Sequence, residues 1–495
     1  MRFNKSLFVI PWEGKTGLGE MPDYPHTGIG YLSSYLLKNN VENEVLDMRL
    51  GYSINDLFEK IISFKPDLIA FTSMTYRVNI AYDLIKTIKE EYDLPIVIGG
   101  PHATIYRKEI FKECPIDYLI NFEGEQTLLE LCNGKETNMI EGLIYGEEGA
   151  IIENPNRSLV PNLDLIPFPK YEKFEINKYA YSHSYGGKGI PIVSSRGCPY
   201  KCNFCSVQYV IGKKYRMRSA DNILQELKYW HEKGNTNFFF VDDNFTMSKE
   251  RIMNLCKLIK REKMNDLTLS IPAGVRADKL DYELLKEMKD VGFWFMSFGV
   301  ESGNNKILQE INKHETVQEI EESIKLAIGF GFEIGLFFII GHPTETPQDF
   351  EDSLKLAKKY PVSSVNFYHA IPFPKTELYN WVKENNLFDG EFENKLRMSN
   401  FYNPGNNQPF FETSYFTTKQ RMEAFEMAKS VEISVKRNYI EKKMRKRFGV
   451  FGIILAHVIY SNFLYRKIQR LYYNKLSRKI IDTIIKLFKL NIHQF

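Results

Sequence analysis

No apolar run in the chain approaches the roughly 20 residues that a membrane-spanning helix needs. The cysteines lack the spacing of a disulfide framework: of six in 495 residues, Cys114, Cys132 and Cys256 stand isolated. That usage fits a reducing, cytoplasmic setting. No leader pattern is present either, since Lys5 runs straight into a strand-like stretch, Ser6 to Ile10. Neither sign of charge is in excess; 65 Lys+Arg against 62 Asp+Glu leave a net +3, which singles out no class of partner. What remains is ordinary for a globular protein, with 43% hydrophobic and 26% charged residues and length for two to four domains.

The other three cysteines fall together. Ser194 to Cys205 reads S-S-R-G-C-P-Y-K-C-N-F-C and follows the apolar run Pro191-Ile192-Val193. Three thiolates on one short loop can hold three irons of a cubane cluster. No fourth cysteine lies nearby, so one iron would keep an open position for a substrate or cofactor. Spacing alone also admits a zinc site completed by a distant histidine, or buried unreactive thiols.

The whole segment, including the aromatic Phe204, resembles the cluster loop of radical S-adenosylmethionine (radical-SAM) enzymes. The resemblance implies a [4Fe-4S] cluster on Cys198, Cys202 and Cys205, whose open iron chelates S-adenosylmethionine. Phe204 would then pack near the adenine. Arg196 and Lys201 flank the loop, where positive charge favours a reduced cluster; solvated surface is the alternative for both.

Residues 1–135 alternate strand-like and helix-like segments, predicting a doubly wound, Rossmann-like parallel sheet. Ligands of such folds sit beyond the carboxyl ends of the strands. Those ends here are Thr72-Ser73, Gly99-Gly100-Pro101-His102 and Glu123-Gly124-Glu125. Together with Pro25-His26-Thr27-Gly28 they resemble the cobalamin-binding domain found upstream of many radical-SAM domains. The resemblance implies cobalamin bound by Gly28, Thr72, Ser73, Gly99, Gly100, Pro101, His102, Glu123 and Gly124. The stretch Asp47 to Gly51 has no histidine, so cobalt would lack a histidine ligand.

Residues 136–185 read as a connector with a small hairpin, Gly142 to Tyr145 and Ala150 to Ile152. Residues 186–373 predict six strand–helix units, a partial (β/α)6 barrel of the radical-SAM kind. Strands are expected at 191–195, 236–242, 267–273, 293–299, 332–340 and 364–370. Barrel sites gather at strand C-termini. There, by the same resemblance, Asp243, Arg276, Glu301 and Ser302 would hold the ribose, amine or carboxylate of S-adenosylmethionine. Each could equally cap the helix that follows it. Gly341-His342-Pro343 and Glu345 follow the fifth strand, and His342 is a candidate contact.

Residues 374–495 turn mainly helical. Lys436 to Arg447 and Arg466 to Lys479 bracket a short apolar run, Phe448 to Tyr460. This pattern suits peripheral binding to the inner, anionic membrane surface, a helical lid, or, last, nucleic acid, which is not expected as a partner.

The family resemblance implies reductive cleavage of S-adenosylmethionine to a 5′-deoxyadenosyl radical, followed by methyl transfer from cobalamin to an unactivated carbon. The substrate would be a small molecule or lipid, and electrons would come from a flavodoxin- or ferredoxin-type donor. The same architecture serves oxidative cyclases, and a non-catalytic redox or cobalamin sensor is the reading from another class.

Overall fold

Short runs of Val, Ile, Leu and Phe, each followed by an amphipathic helix, build parallel sheets twice along this chain. The computed structural model describes residues 2–12, 22–179, 188–388, 390–398 and 408–450. They divide into two units: Met1–Ala180 with Pro191–Tyr229 and Ile371–Phe411, and Tyr181–Ile190 with Trp230–Ala370 and Glu412–Phe495, each taken over its described residues.

The first unit holds five parallel strands, β1 (Lys5–Ile10), β2 (Glu42–Asp47), β3 (Leu68–Thr72), β4 (Ile96–Gly99) and β5 (Tyr118–Ile120), in the order β2-β1-β3-β4-β5. Chain direction across the sheet reverses between β1 and β3. That switch point opens a crevice at their carboxyl ends. Leu7, Val9, Ile69, Phe71, Ile96 and Ile98 form the core with Ile85 and Ile88 of helix Val78–Glu91. Each side chain fully buried in this way contributes about 1.5–3 kcal/mol. The connector hairpin, β6 (Leu143–Glu147) and β7 (Ala150–Glu153), is antiparallel and extends the sheet beyond β5. Farther along the chain, helix Phe392–Met398 returns to this unit: Arg397 pairs with Glu113, and Tyr106 donates to Glu393 at 3.0 Å.

Of the six strands expected for the barrel, β8 (Ile190–Ile192) is divided by the boundary of the units. The second unit contains the other five, all parallel and in sequence order: β11 (Asn237–Phe240), β12 (Thr268–Val275), β13 (Phe293–Glu301), β14 (Glu333–Ile340) and β15 (Ser364–His369). The short β9 (Ser195–Arg196) and β10 (Arg216–Met217) belong to the first unit. Helices Lys249–Arg261, Tyr282–Asp290, Val317–Gly329 and Pro347–Lys359 alternate with these strands. Thr316 with Glu319, and Thr346 with Asp349, close capping boxes that fix two of their starts.

Helix Thr418–Phe448 also begins at a capping box, Thr417 with Gln420. It buries Ala424, Phe425, Ala428, Val431 and Val435, a stripe at helical spacing. Phe367 donates its backbone N–H to Glu432 at 2.7 Å, and Phe425 stacks on His369 at 4.7 Å. Among the described residues no helix is long and apolar enough to cross a membrane. Most of the apolar run Phe448 to Tyr460, and all of the basic stretch Arg466 to Lys479, lie outside the described residues.

Candidate functional site

The cysteine loop hangs from a clasp. β9 and β10 pair antiparallel, with Arg196 opposite Arg216 and Ser195 opposite Met217, so Cys198, Cys202 and Cys205 lie between the two stems. Gly197 leaves β9 at φ +85, and a Cβ there would sit 2.7 Å from the Lys214 carbonyl oxygen and 2.9 Å from that of Gly212. Only glycine fits such a turn. Helix Glu377–Glu384 braces the loop, as Leu378 N–H donates to the Asn203 carbonyl at 3.0 Å. The three loop thiols and Phe204 are half-buried, and no thiol is in a disulfide. Lys201 is exposed, whereas Arg196 is enclosed and ion-paired to Glu123 and Glu125, with Tyr31 stacked 5.1 Å from its guanidinium.

Among the described residues no three His, Cys, Asp or Glu side chains close around one point as a single metal ion requires. A cubane sets three irons before three separate thiolates, and this donor set fits it.

At the carboxyl edge of the first sheet, Thr72, Ser73, Gly99, Gly100, Pro101 and His102 are brought together. Ser73 donates its N–H and its hydroxyl to the Gly99 carbonyl at 2.9 and 2.8 Å, and its own carbonyl accepts from His102 N–H at 3.0 Å. Thr72 Oγ1 reaches His26 Nε2 at 3.5 Å, while His26 Nδ1 caps helix Thr27–Lys38 by accepting from Ile29 N–H. Burial, aided by Arg49, lowers His26 to about 4. His102 is fully buried, with Nε2 2.8 Å from Tyr82 Oη and Nδ1 3.3 Å from Thr75 Oγ1. Burial lowers it to about 3. Both imidazoles are hydrogen-bonded within the fold, His26 through Nδ1 to a helix N-terminus and His102 through both ring nitrogens. Gly28 is exposed, and Gly100 stands at φ +97, where a Cβ would meet the Ser73 carbonyl oxygen at 2.9 Å and Thr72 Oγ1 at 3.0 Å. These features fit a corrinoid held without a histidine ligand.

In the second unit, Arg276 is committed to its neighbours. It donates to Asp278 at 2.9 Å and to the carbonyls of Lys313 and His314, and lies 3.5 Å from Glu315. Glu301, in the left-handed region at φ +65, pairs with Lys313 at 3.2 Å. Lys313, itself buried, therefore joins Arg276 and Glu301 in one charge network, a residue the sequence reading missed. Its signal was weak: a lysine in a turn far from any motif. Ser302 is buried and accepts from Asn304 N–H at 3.2 Å, as a turn cap does. Asp243 is exposed, while the neighbouring Asp242 is buried 3.9 Å from Arg251.

The loop after β14 carries a second buried group. Glu345 Oε2 accepts from the N–H groups of Gly341 and His342 at 2.5 and 3.2 Å, and burial pushes its pKa up to about 7. Arg421 of helix Thr418–Phe448 lies against Gly341, where a Cβ would meet its Nη1 at 2.6 Å. His342 is fully buried, and burial lowers it to about 3.

Comparison with known proteins decides the family. Residues 192–357 match the radical SAM superfamily, and residues 21–132 match the B12 binding domain. An uncharacterized methyltransferase of Pyrococcus horikoshii is 30% identical over 491 residues, covering 96% of this chain and all of that protein. The chain is a radical SAM enzyme with a B12 binding domain. An anaerobic magnesium-protoporphyrin IX monomethyl ester cyclase of Rubrivivax gelatinosus is 27% identical, over 75% of this chain and 69% of its own. Among solved structures, the radical SAM methyltransferase TsrM of Kitasatospora setae, with cobalamin and a [4Fe-4S] cluster bound, superposes at a TM-score of 0.68. It is 18% identical and covers 88% of this chain and 89% of its own, a likeness of fold. The radical SAM family brings a [4Fe-4S] cluster and S-adenosylmethionine as cofactors, and the B12 binding domain brings cobalamin.

Proposed function

We propose that this radical SAM enzyme is a methyltransferase acting on an unactivated carbon of a small-molecule or lipid substrate. The observation that carries the reading is the full-length likeness to a relative named as a methyltransferase. When bound, the cluster and cobalamin would supply S-adenosylmethionine cleavage and the transferable methyl group. The chain's own part is to hold three thiolates on one clasped loop and to offer a glycine-edged crevice at the β1/β3 switch point. Arg276, Glu301, Ser302 and Asp243 remain the proposed contacts of S-adenosylmethionine, with Phe204 near its adenine. On this reading residues 1–135 carry cobalamin, 136–185 connect, 186–373 form the radical SAM core and 374–495 the helical remainder.

The enzyme would work in the cytoplasm with a flavodoxin- or ferredoxin-type electron donor. Exposed Lys442, Arg445, Lys446 and Arg447 at the end of helix Thr418–Phe448 support peripheral attachment to anionic membrane. Product analysis tests the reaction. Methyl transfer yields S-adenosylhomocysteine together with 5′-deoxyadenosine, whereas the cyclase reading, which the Rubrivivax relative supports, yields 5′-deoxyadenosine without S-adenosylhomocysteine. Absence of both nucleoside products from reduced, cofactor-loaded enzyme supplied with extracts of its host would count against either.

A further inference from the structure

The turn after β5 carries two carboxylates that stand apart from the corrinoid crevice. β5 is two strands removed from β3, which borders the switch point where ligands of this fold sit. Its acidic side chains are committed elsewhere. Glu123 Oε1 accepts from Arg196 Nη1 at 2.8 Å and from Arg216 Nη1 at 2.7 Å; its Oε2 accepts from Arg216 Nη1 and from Val160 N–H, both at 2.8 Å. Glu125 Oε1 accepts from Arg196 Nη2 at 2.7 Å. These side chains are enclosed: Arg216 is 2% exposed, Glu125 6%, Glu123 11% and Arg196 13%. Because Arg196 and Arg216 face each other across the β9/β10 clasp, one carboxylate grips both stems of the cysteine loop.

We propose that Glu123 and Glu125 are positioning residues for the iron–sulfur centre, fixing the loop of Cys198, Cys202 and Cys205 and balancing the charge beside it. The inference rests on the reading that this loop carries a cluster. Two enclosed guanidiniums without counterions would set uncompensated positive charge close to a centre that must accept an electron. They would also leave the clasp without the carboxylate that joins its two stems. Removing one partner of a buried ion pair is strongly destabilising, because the other charge stays buried. The acidic turn of the B12 binding domain then serves the cluster, and corrinoid contacts are left to the β1, β3 and β4 ends.

The test uses full-length protein, reconstituted anaerobically with iron and sulfide, and the near-isosteric Glu123→Gln. Three quantities are read: iron release to a chelator, the cluster midpoint potential by paramagnetic resonance, and uptake of hydroxocobalamin by absorbance. The expected result is iron release faster by at least about tenfold, a potential shifted positive, and cobalamin uptake unchanged. Glu125→Gln should move the first two in the same direction by less, since Arg196 keeps Glu123. Glu123→Asp, which keeps the charge, should bring the potential back toward the parent value. Weakened cobalamin binding with an unaltered cluster would overturn the proposal and return the turn to the corrinoid site; so would no change in any readout. Should Glu123→Gln fail to fold, Glu125→Gln decides by the same criteria. A parent protein that takes up no iron would overturn the reading of the loop itself, a failure separable from any variant-specific result.

Discussion

Burial pushes the thiols of Cys114, Cys132 and Cys256 up to about 12, which keeps them protonated and inert at neutral pH. The loop thiols are only half-buried. Replacing Cys198, Cys202 or Cys205 with Ala is therefore expected to abolish iron and acid-labile sulfide uptake, while Cys114→Ala and Cys256→Ala leave both intact. Iron retained at full level in all three loop variants would refute the assignment. Glu345 supplies a pH prediction. Its folded pKa of about 7 lies above the ordinary 4.5, so the unfolded chain releases this proton first as pH rises. Stability from this group is fully present below about pH 4.5 and falls as pH climbs to about 7, by on the order of 3 kcal/mol. Glu345→Gln should flatten that part of the curve in denaturant titrations at a series of pH values. Spacing marked the loop cysteines in the sequence, but burial of Glu345 depends on Arg421 and the Gly341 turn, which no local pattern announces.

Among the elements, helix Thr418–Phe448 shows how packing decides what periodicity leaves open. Its capping box and apolar stripe are local, but its seat on β15 is made by Phe425 and Glu432, and Arg421 sets it against the Gly341 turn after β14. Phe425→Ala removes a buried ring, and a loss of about 3–5 kcal/mol is expected in urea unfolding. Gly341→Ala should be worse tolerated than its size suggests. The residue sits at φ +93, and a new methyl would displace the Arg421 guanidinium. Arg421→Ala should relieve the second cost and not the first, so the double variant is expected to be less unstable than the two single losses summed. The basic residues near this helix end also sorted only in three dimensions: Lys443 pairs with Glu333 at 3.1 Å, whereas its neighbours face solvent.

For the whole molecule, the histidines carry the sharpest expectation. His26 caps a helix and His102 is locked between Tyr82 and Thr75, so bound cob(II)alamin should show no nitrogen superhyperfine splitting from the protein. Such splitting, lost in His26→Ala or His102→Ala, would place an imidazole on cobalt. Membrane attachment is tested by sedimentation with anionic and neutral vesicles. Each surface Lys or Arg contributes about 1 kcal/mol, weakened by salt. Lys442, Arg445, Lys446 and Arg447 changed together to Gln should release protein from anionic vesicles at low salt. Indifference of the parent protein to those vesicles would remove the membrane reading.

The order of strands and helices, the class of both sheets and the cysteine loop were all written in local pattern. Strand alternation, capping residues and thiol spacing act over a few neighbours, and one chain displays them without its fold. Partnership between distant charges is different. Glu123 looked like a ligand-binding turn by motif, and Arg196 like a flanking charge; only the pairing of β9 with β10 beside β5 brought them to 2.8 Å. Arg276 and Glu301 were likewise visible, but Lys313 joined them from the turn after helix Asn305–Glu310. Such contacts arise because burial forces each charge to find an opposite wherever the folded chain supplies one, and which one it finds is settled by tertiary structure.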